Sequence, residues 1–280
     1  MQDAVPMTLG QEFGAFAITL REDVTRLREI VSLFREVNLG GTAIGTGINT
    51  SSEYQAAALE ELRKITGLPL ESAGNLIEAC WDTGAFVLFS GMLKRTATKL
   101  SKICNDLRLL SSGPRGGLNE INLPALQPGS SIMPGKVNPV VPEVVNQVAY
   151  QIIGYDLTIT LASEAGQLQL NVMEPVITYN ALHSIELLSN AIDTLRTRCV
   201  AGISANPETC RRHLEASTAV ATALTPVIGY ERAVDLAKQV LATGKTLRDI
   251  LSQQDDLSED LIAQISNLHL LVRPTRSTIA

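Results

Sequence analysis

Aromatic residues are scarce in this 280-residue chain, which holds five Phe, five Tyr and one Trp, 4% in all. With hydrophobic residues at 45%, that scarcity favours helices packed through aliphatic side chains over a β-sandwich. Basic charge is short as well. A formal net charge of −6 and a pI near 5.2 argue against a nucleic-acid partner, whose phosphates need a basic face. No uninterrupted apolar run reaches the ~18 residues of a membrane span. The opening MQDAVPMTLGQ has neither the basic nor the apolar region of a secretory signal. Cys80, Cys104, Cys199 and Cys210 are scattered without a Cys-x-x-Cys pair, as expected of buried thiols in a cytoplasmic protein. His183, His213 and His269 each stand without a ligand partner at metal spacing, so no metal site is expected.

What the chain does have is helical periodicity. Phe13, Phe16, Leu20, Val24, Leu27 and Val31 predict a helix over about 10–36. A second runs from Ser52 to Thr66, capped by Ser51 or Ser52. A third runs from about Ser72 or Asn75 to Leu110, with Trp81, Phe86 and Phe89 expected in the core. Its basic residues Lys94, Arg95, Lys99, Lys102 and Arg108 read as a solvated or salt-bridged face. A fourth starts near Pro139 or Val140 and continues to about Ala165, roughly 40 Å. It is apolar over much of its circumference, so it must be buried on several sides. A fifth covers about 175–201. Near Ser204 the character shifts: SANPET offers Ser204 or Asn206 as N-cap with Pro207 at N1. Shorter helices follow, with breaks at Pro226, Gly229, Gly244 and Asp255–Ser258. The expected architecture is all-α, a long helix bundle over 1–203 and a small helical C-terminal domain over 204–280.

Two tempting phosphate motifs fail. NLGGTAIGTGINT (Asn38–Thr50) is not a dinucleotide fingerprint, because no strand precedes it and the glycine spacing is wrong. TGKT (Thr243–Thr246) is not a P-loop, because its first glycine would fall on Gln239. The first stretch reads as a helix connector, and Thr42 and Thr46 are given no role.

The chemistry concentrates in GSSIMPGKVNP (Gly129–Pro139), where two glycines and two prolines forbid a helix. Hydroxyls and backbone N–H groups stand there beside one fixed positive charge, a combination suited to a carboxylate or oxyanion. Arg115, among the glycines of SSGPRGGLNE (Ser111–Glu120), could meet an anion or form a structural ion pair.

GSSIMPGKVNP resembles the signature loop of the fumarase/aspartase superfamily, all-helical lyases that eliminate a group from a succinyl-type substrate and release fumarate. Val137, VVPEVVNQV (Val140–Val148) and EAGQLQLNVMEPVI (Glu164–Ile177) resemble its aspartase branch. The resemblance implies ammonia elimination from L-aspartate, with no cofactor. Ser130 matches the family's catalytic base, and Ser131 a substrate contact. Lys136 should pair with a substrate carboxylate and Asn138 should hydrogen-bond it. Glu143 matches a glutamate behind an active-site histidine. A fumarase acting on L-malate, or a non-catalytic helical assembly fragment, are the alternatives.

Family members are homotetramers joined through central helices, with each site assembled from three subunits. In the family, QDAVPMTLGQEF follows an N-terminal domain that carries other substrate-binding loops. The chain is therefore expected to be the C-terminal part of such an enzyme and poorly active alone.

Overall fold

A helix starts and stops where side chains or special backbone take up its free N–H and C=O groups. The computed structural model describes residues 2–254, Ile262 and Val272. The all-α expectation holds, since the described strands are two-residue pieces. Contacts divide the chain into two units. One is Ala17–Ser111 with Leu123–Ile203; the other is Met1–Phe16 with Ser112–Asn122 and Ser204–Ala280.

Helix α1, Leu9–Ile30, is opened by a reciprocal cap in which Gln11 N–H donates to Thr8 Oγ1 and Thr8 N–H to Gln11 Oε1. It stops six residues short of the expected end. Val31–Phe34 tighten into a 3-10 turn, and strand β1 (Glu36–Val37) pairs in parallel with β2 (Glu71–Ser72). Pairing decides this boundary: the Arg35 and Val37 carbonyls accept from Glu71 and Ala73 N–H at 2.7 and 3.0 Å. Between the strands lies α2, Ser52–Thr66, capped by Ser51 Oγ and ended by Gly67 at φ +66°.

Helix α3 spans Gly84–Leu110 and begins well after the expected start. Short polar side chains hold residues 75–83 out of it. Asn75 Oδ1 accepts from Ile77 and Glu78 N–H, and Asp82 Oδ1 accepts from Gly84 N–H. Trp81, expected in the core, is 42% exposed, whereas Phe86 and Phe89 pack edge-on against Phe34.

Helices α4 (Val140–Glu164) and α5 (Glu174–Arg198) complete the bundle. Leu100, Cys104 and Leu107 of α3 are buried, as are Val145, Ile152 and Ile159 of α4 and Ile177 and Leu188 of α5. Ala97, Ala149 and Ala181 are buried too, small enough for backbones to approach closely. The outer face of α4 is open: Tyr150, Leu157 and Leu161 are about 60% exposed. In the basic stretch of α3, Lys94, Arg95 and Lys99 are salt-bridged to buried acids, while Lys102 pairs with Asp106 one turn along the helix. Lys99 Nζ and Arg95 Nη2 reach Asp23 Oδ1 at 2.7 and 3.2 Å, and Thr96 Oγ1 donates to Asp23 Oδ2. Lys94 Nζ lies 2.5 Å from Asp156 Oδ2, whose other oxygen accepts from Ser90 Oγ.

In the other unit, β3 (Ile121–Asn122) pairs antiparallel with β4 (Ser204–Ala205). Helices α6 (Pro207–Ala216), α7 (Ala219–Ile228), α8 (Tyr230–Thr243) and α9 (Leu247–Leu251) follow. Val220, Leu224, Leu236, Val240, Leu247 and Leu251 form the core there. Asn206 holds the N-cap position of α6 without capping it, because its Oδ1 accepts instead from Asn122 Nδ2 at 2.7 Å, while its own amide N–H donates to Asn119 and Asn122. Pro226, an expected break, lies inside α7; the break falls at Gly229, φ +82°. Gly244 ends α8 in the left-handed region, as expected, and Thr246 with Asp249 forms a capping box for α9. The break expected at Asp255–Ser258 lies outside the described residues.

Candidate active site

The loop Gly129–Pro139 is closed at its base by backbone alone. Gly129 N–H donates to the Lys136 carbonyl at 2.6 Å, and Pro128 and Val137 form an antiparallel bridge. Gly135, at φ +77°, makes the reversal that brings the strand back. Lys136 N–H donates to the Met133 carbonyl, closing the tip. The loop then feeds directly into α4: the Asn138 carbonyl accepts from Val140 N–H and the Pro139 carbonyl from Glu143 N–H.

Each expected site residue lies on this structure. Ser130 is half-buried at the base, and its Oγ accepts from Ile132 N–H at 3.2 Å. Ser131 and Lys136 are exposed, with side chains free of the core. Asn138 is half-buried, and its amide is pressed against Gly129: a Cβ at 129 would stand 2.8 Å from Asn138 Oδ1 and 3.0 Å from the Lys136 carbonyl. Glu143, half-buried in the first turn of α4, sits where a helix N-terminus favours negative charge. Gly129, Lys136 and Asn138 are thus drawn together, and Glu143 is tied to them through Pro139.

Chemically, the loop offers one hydroxyl held by a backbone donor, one cation facing solvent and one braced amide. That is a donor set for a carboxylate-bearing ligand. Among the described residues no group of three or more His, Cys, Asp and Glu could hold a metal ion. His183 stacks on Tyr179 beside Glu186, and His213 Nδ1 meets Glu120 Oε1 at 2.9 Å; His269 lies outside the described residues.

The connector Asn38–Thr50 is exposed over most of its length and is held closely only at its glycines. Gly45, at φ +88°, lies so close to the Leu76 carbonyl that a Cβ would stand 2.2 Å from it. Gln55 Nε2 donates to the Gly40 carbonyl at 2.8 Å.

The reading of sequence alone missed Asn146, a buried amide two turns into α4. Its Nδ2 donates to the Ser101 carbonyl and Oγ at 3.0 and 2.8 Å, and its Oδ1 accepts from Arg108 Nη1 at 3.3 Å. An asparagine at a position of apolar period was the available signal.

A family model described as Lyase matches residues 1–154, and one described as Fumarase C C-terminus matches residues 220–273. Similar proteins include an aspartate ammonia-lyase of Pseudomonas aeruginosa, 62% identical over 95% of this chain and 56% of its own length. One of Escherichia coli is 53% identical over 98% of this chain and 57% of its own. The chain spans little more than half the length of the curated relatives it matches. Among solved structures, a Brucella melitensis protein described as fumarate lyase:delta crystallin bound to cobalt aligns at TM-score 0.92 with 61% identity. It is matched over 97% of this chain and 59% of its own. A class II fumarase of Schistosoma mansoni aligns at 0.89 with 35% identity, over 99% of this chain and 61% of its own. With the match over residues 1–154 spanning more than half its length, the chain belongs to the lyase family, in the fumarase/aspartase superfamily.

Proposed function

We propose that this chain carries the base-bearing part of an aspartate ammonia-lyase, which reversibly eliminates ammonia from L-aspartate to give fumarate. The observation that carries this reading is the intact GSSIMPGKVNP loop, closed at its base, in a chain 62% identical to a protein of that description. The C3 proton of L-aspartate is a weak acid beside a carboxylate, so its removal builds an aci-carboxylate that needs positive charge and donors. Ser130 Oγ, as the alkoxide, takes that proton and becomes the hydroxyl; the Ile132 N–H that already points at its oxygen favours the charged form. The electron pair is held on the carboxylate, then forms the C2–C3 double bond as the C2–N bond breaks and ammonia leaves. Lys136 pairs with a substrate carboxylate, while Asn138 and Ser131 supply hydrogen bonds. Glu143 stands behind these as support for an active-site histidine.

The same reading makes the protein a cytoplasmic homotetramer, with 1–203 as the central domain and 204–280 as the small last one. Leu157 and Leu161 on α4, with Tyr179 and Leu182 on α5, are about 60% exposed and would be covered by further copies. A second reading, hydration of fumarate to L-malate, is favoured by the match to the Fumarase C C-terminus.

Fumarate release from L-aspartate and L-malate in parallel, followed by ultraviolet absorbance, separates the two. It is run on the chain alone and with the N-terminal segment of a relative supplied. Fumarate release from L-aspartate only with that segment supports the first reading, and turnover of malate moves the reaction to hydration. A folded but silent sample would leave a helical assembly fragment.

A further inference from the structure

We propose that Asn146 is a positioning residue for the loop chemistry, holding α4 in the one register against α3 that presents Glu143 and the Gly129–Pro139 loop correctly. The role rests on the reaction proposed above, although the register itself does not. In the first ten residues of α4, the described buried positions are Val141, Pro142, Val145, Asn146 and Ala149. Four of these make apolar contacts, which have no direction and resist sliding or rotation weakly. Asn146 is the polar one, 3% exposed, and all its described partners lie on α3.

Two turns of α3 converge on one amide: Ser101 accepts from its nitrogen and Arg108, seven residues on, donates to its oxygen. An amide that must present its nitrogen to an acceptor and its oxygen to a donor together tolerates little translation or rotation. A one-residue slip of α4 would turn its side chains by about 100° and carry Glu143 away from its place. Because Glu143 N–H and Val140 N–H bond the carbonyls of Pro139 and Asn138, the error would pass directly into the loop.

The same helix supplies its own control. Asp156, ten residues further on, is a second buried node, bound to Ser90 and Lys94. It braces the far half of α4. It also ties α4 to α3, so what Asn146 alone governs is the first turns of α4, and loss of Asp156 is expected to weaken the bundle while leaving the loop end in place.

The test compares Asn146→Leu with Asp156→Asn in the full 280-residue chain. Melting temperature and hydrogen exchange at the Gly129 and Glu143 amides are read in both. Both variants are expected to melt lower. Only Asn146→Leu should speed exchange at those two amides, by about tenfold, with Ser101→Ala giving a smaller change in the same direction. In the assay with the N-terminal segment supplied, Asn146→Leu should lower kcat with little change in KM. Equal acceleration in both variants, or none in Asn146→Leu, would overturn the proposal. Altered exchange in a sample active on neither substrate would uphold the register and overturn the reaction it was proposed to serve.

Discussion

Gly129 and Lys136 are joined across the neck of the loop by one backbone hydrogen bond of 2.6 Å, and Asn138 packs into the space a side chain at 129 would need. Gly129→Ala therefore places a methyl group 2.8 Å from Asn138 Oδ1. The neck must open, with Asn138 and the Lys136 carbonyl displaced. Fumarate release should fall at least tenfold while the melting temperature moves little, since the loop lies outside the core. Near-normal turnover would mean the neck is not needed closed.

Ser130 and Lys136 should fail differently. Ser130→Ala removes the proposed base, and kcat should drop by roughly a hundredfold to ten-thousandfold with KM nearly kept. Lys136→Met removes a charge-assisted pair with substrate, so KM should rise by about tenfold to a hundredfold. Steady-state kinetics on L-aspartate distinguish the two, and a KM effect for Ser130→Ala would reassign it to binding.

Asp23 is 1% exposed and serves Lys99, Arg95 and Thr96 together. Asp23→Ala should cost about 3–5 kcal/mol, because Lys99 is left largely buried beside a void. Urea denaturation reads it directly. A loss below about 1 kcal/mol would place the pair among ordinary surface bridges.

Burial pushes the Cys104 thiol up to about 12 and the Cys199 thiol up to about 11, from an ordinary value of 9.0. Above pH 9 the unfolded chain loses those protons while the folded chain keeps them. Stability from these groups is therefore full below pH 9 and lost as pH rises toward 11–12. Denaturation midpoints should fall over that range, and Cys104→Ala should flatten the alkaline slope. An unchanged slope would assign it to other groups.

Local chemistry was legible and distant pairing was not. The ends of α2 are written in Ser51 and Gly67, and the loop motif is contiguous, so both could be read directly. The late start of α3 escaped because Asn75 and Asp82 act through side-chain turns that do not interrupt the apolar period. The early end of α1 escaped because it depends on pairing with residues 71–73. Asn146 with Ser101, Asp156 with Ser90 and His213 with Glu120 meet across 45, 66 and 93 residues, separations that leave no periodic trace.

The short parallel pairing of Glu36–Val37 with Glu71–Ser72 brings the two ends of segment 38–70 to one place. Everything between them, α2 and the glycine-dense connector included, is an excursion that leaves the bundle and rejoins it at neighbouring points. Doubling the length of such a detour costs only about 0.6 kcal/mol in closure entropy. Segment 38–70 is accordingly a natural insertion port, where foreign sequence could be spliced or chain ends relocated while the bundle keeps its own connections.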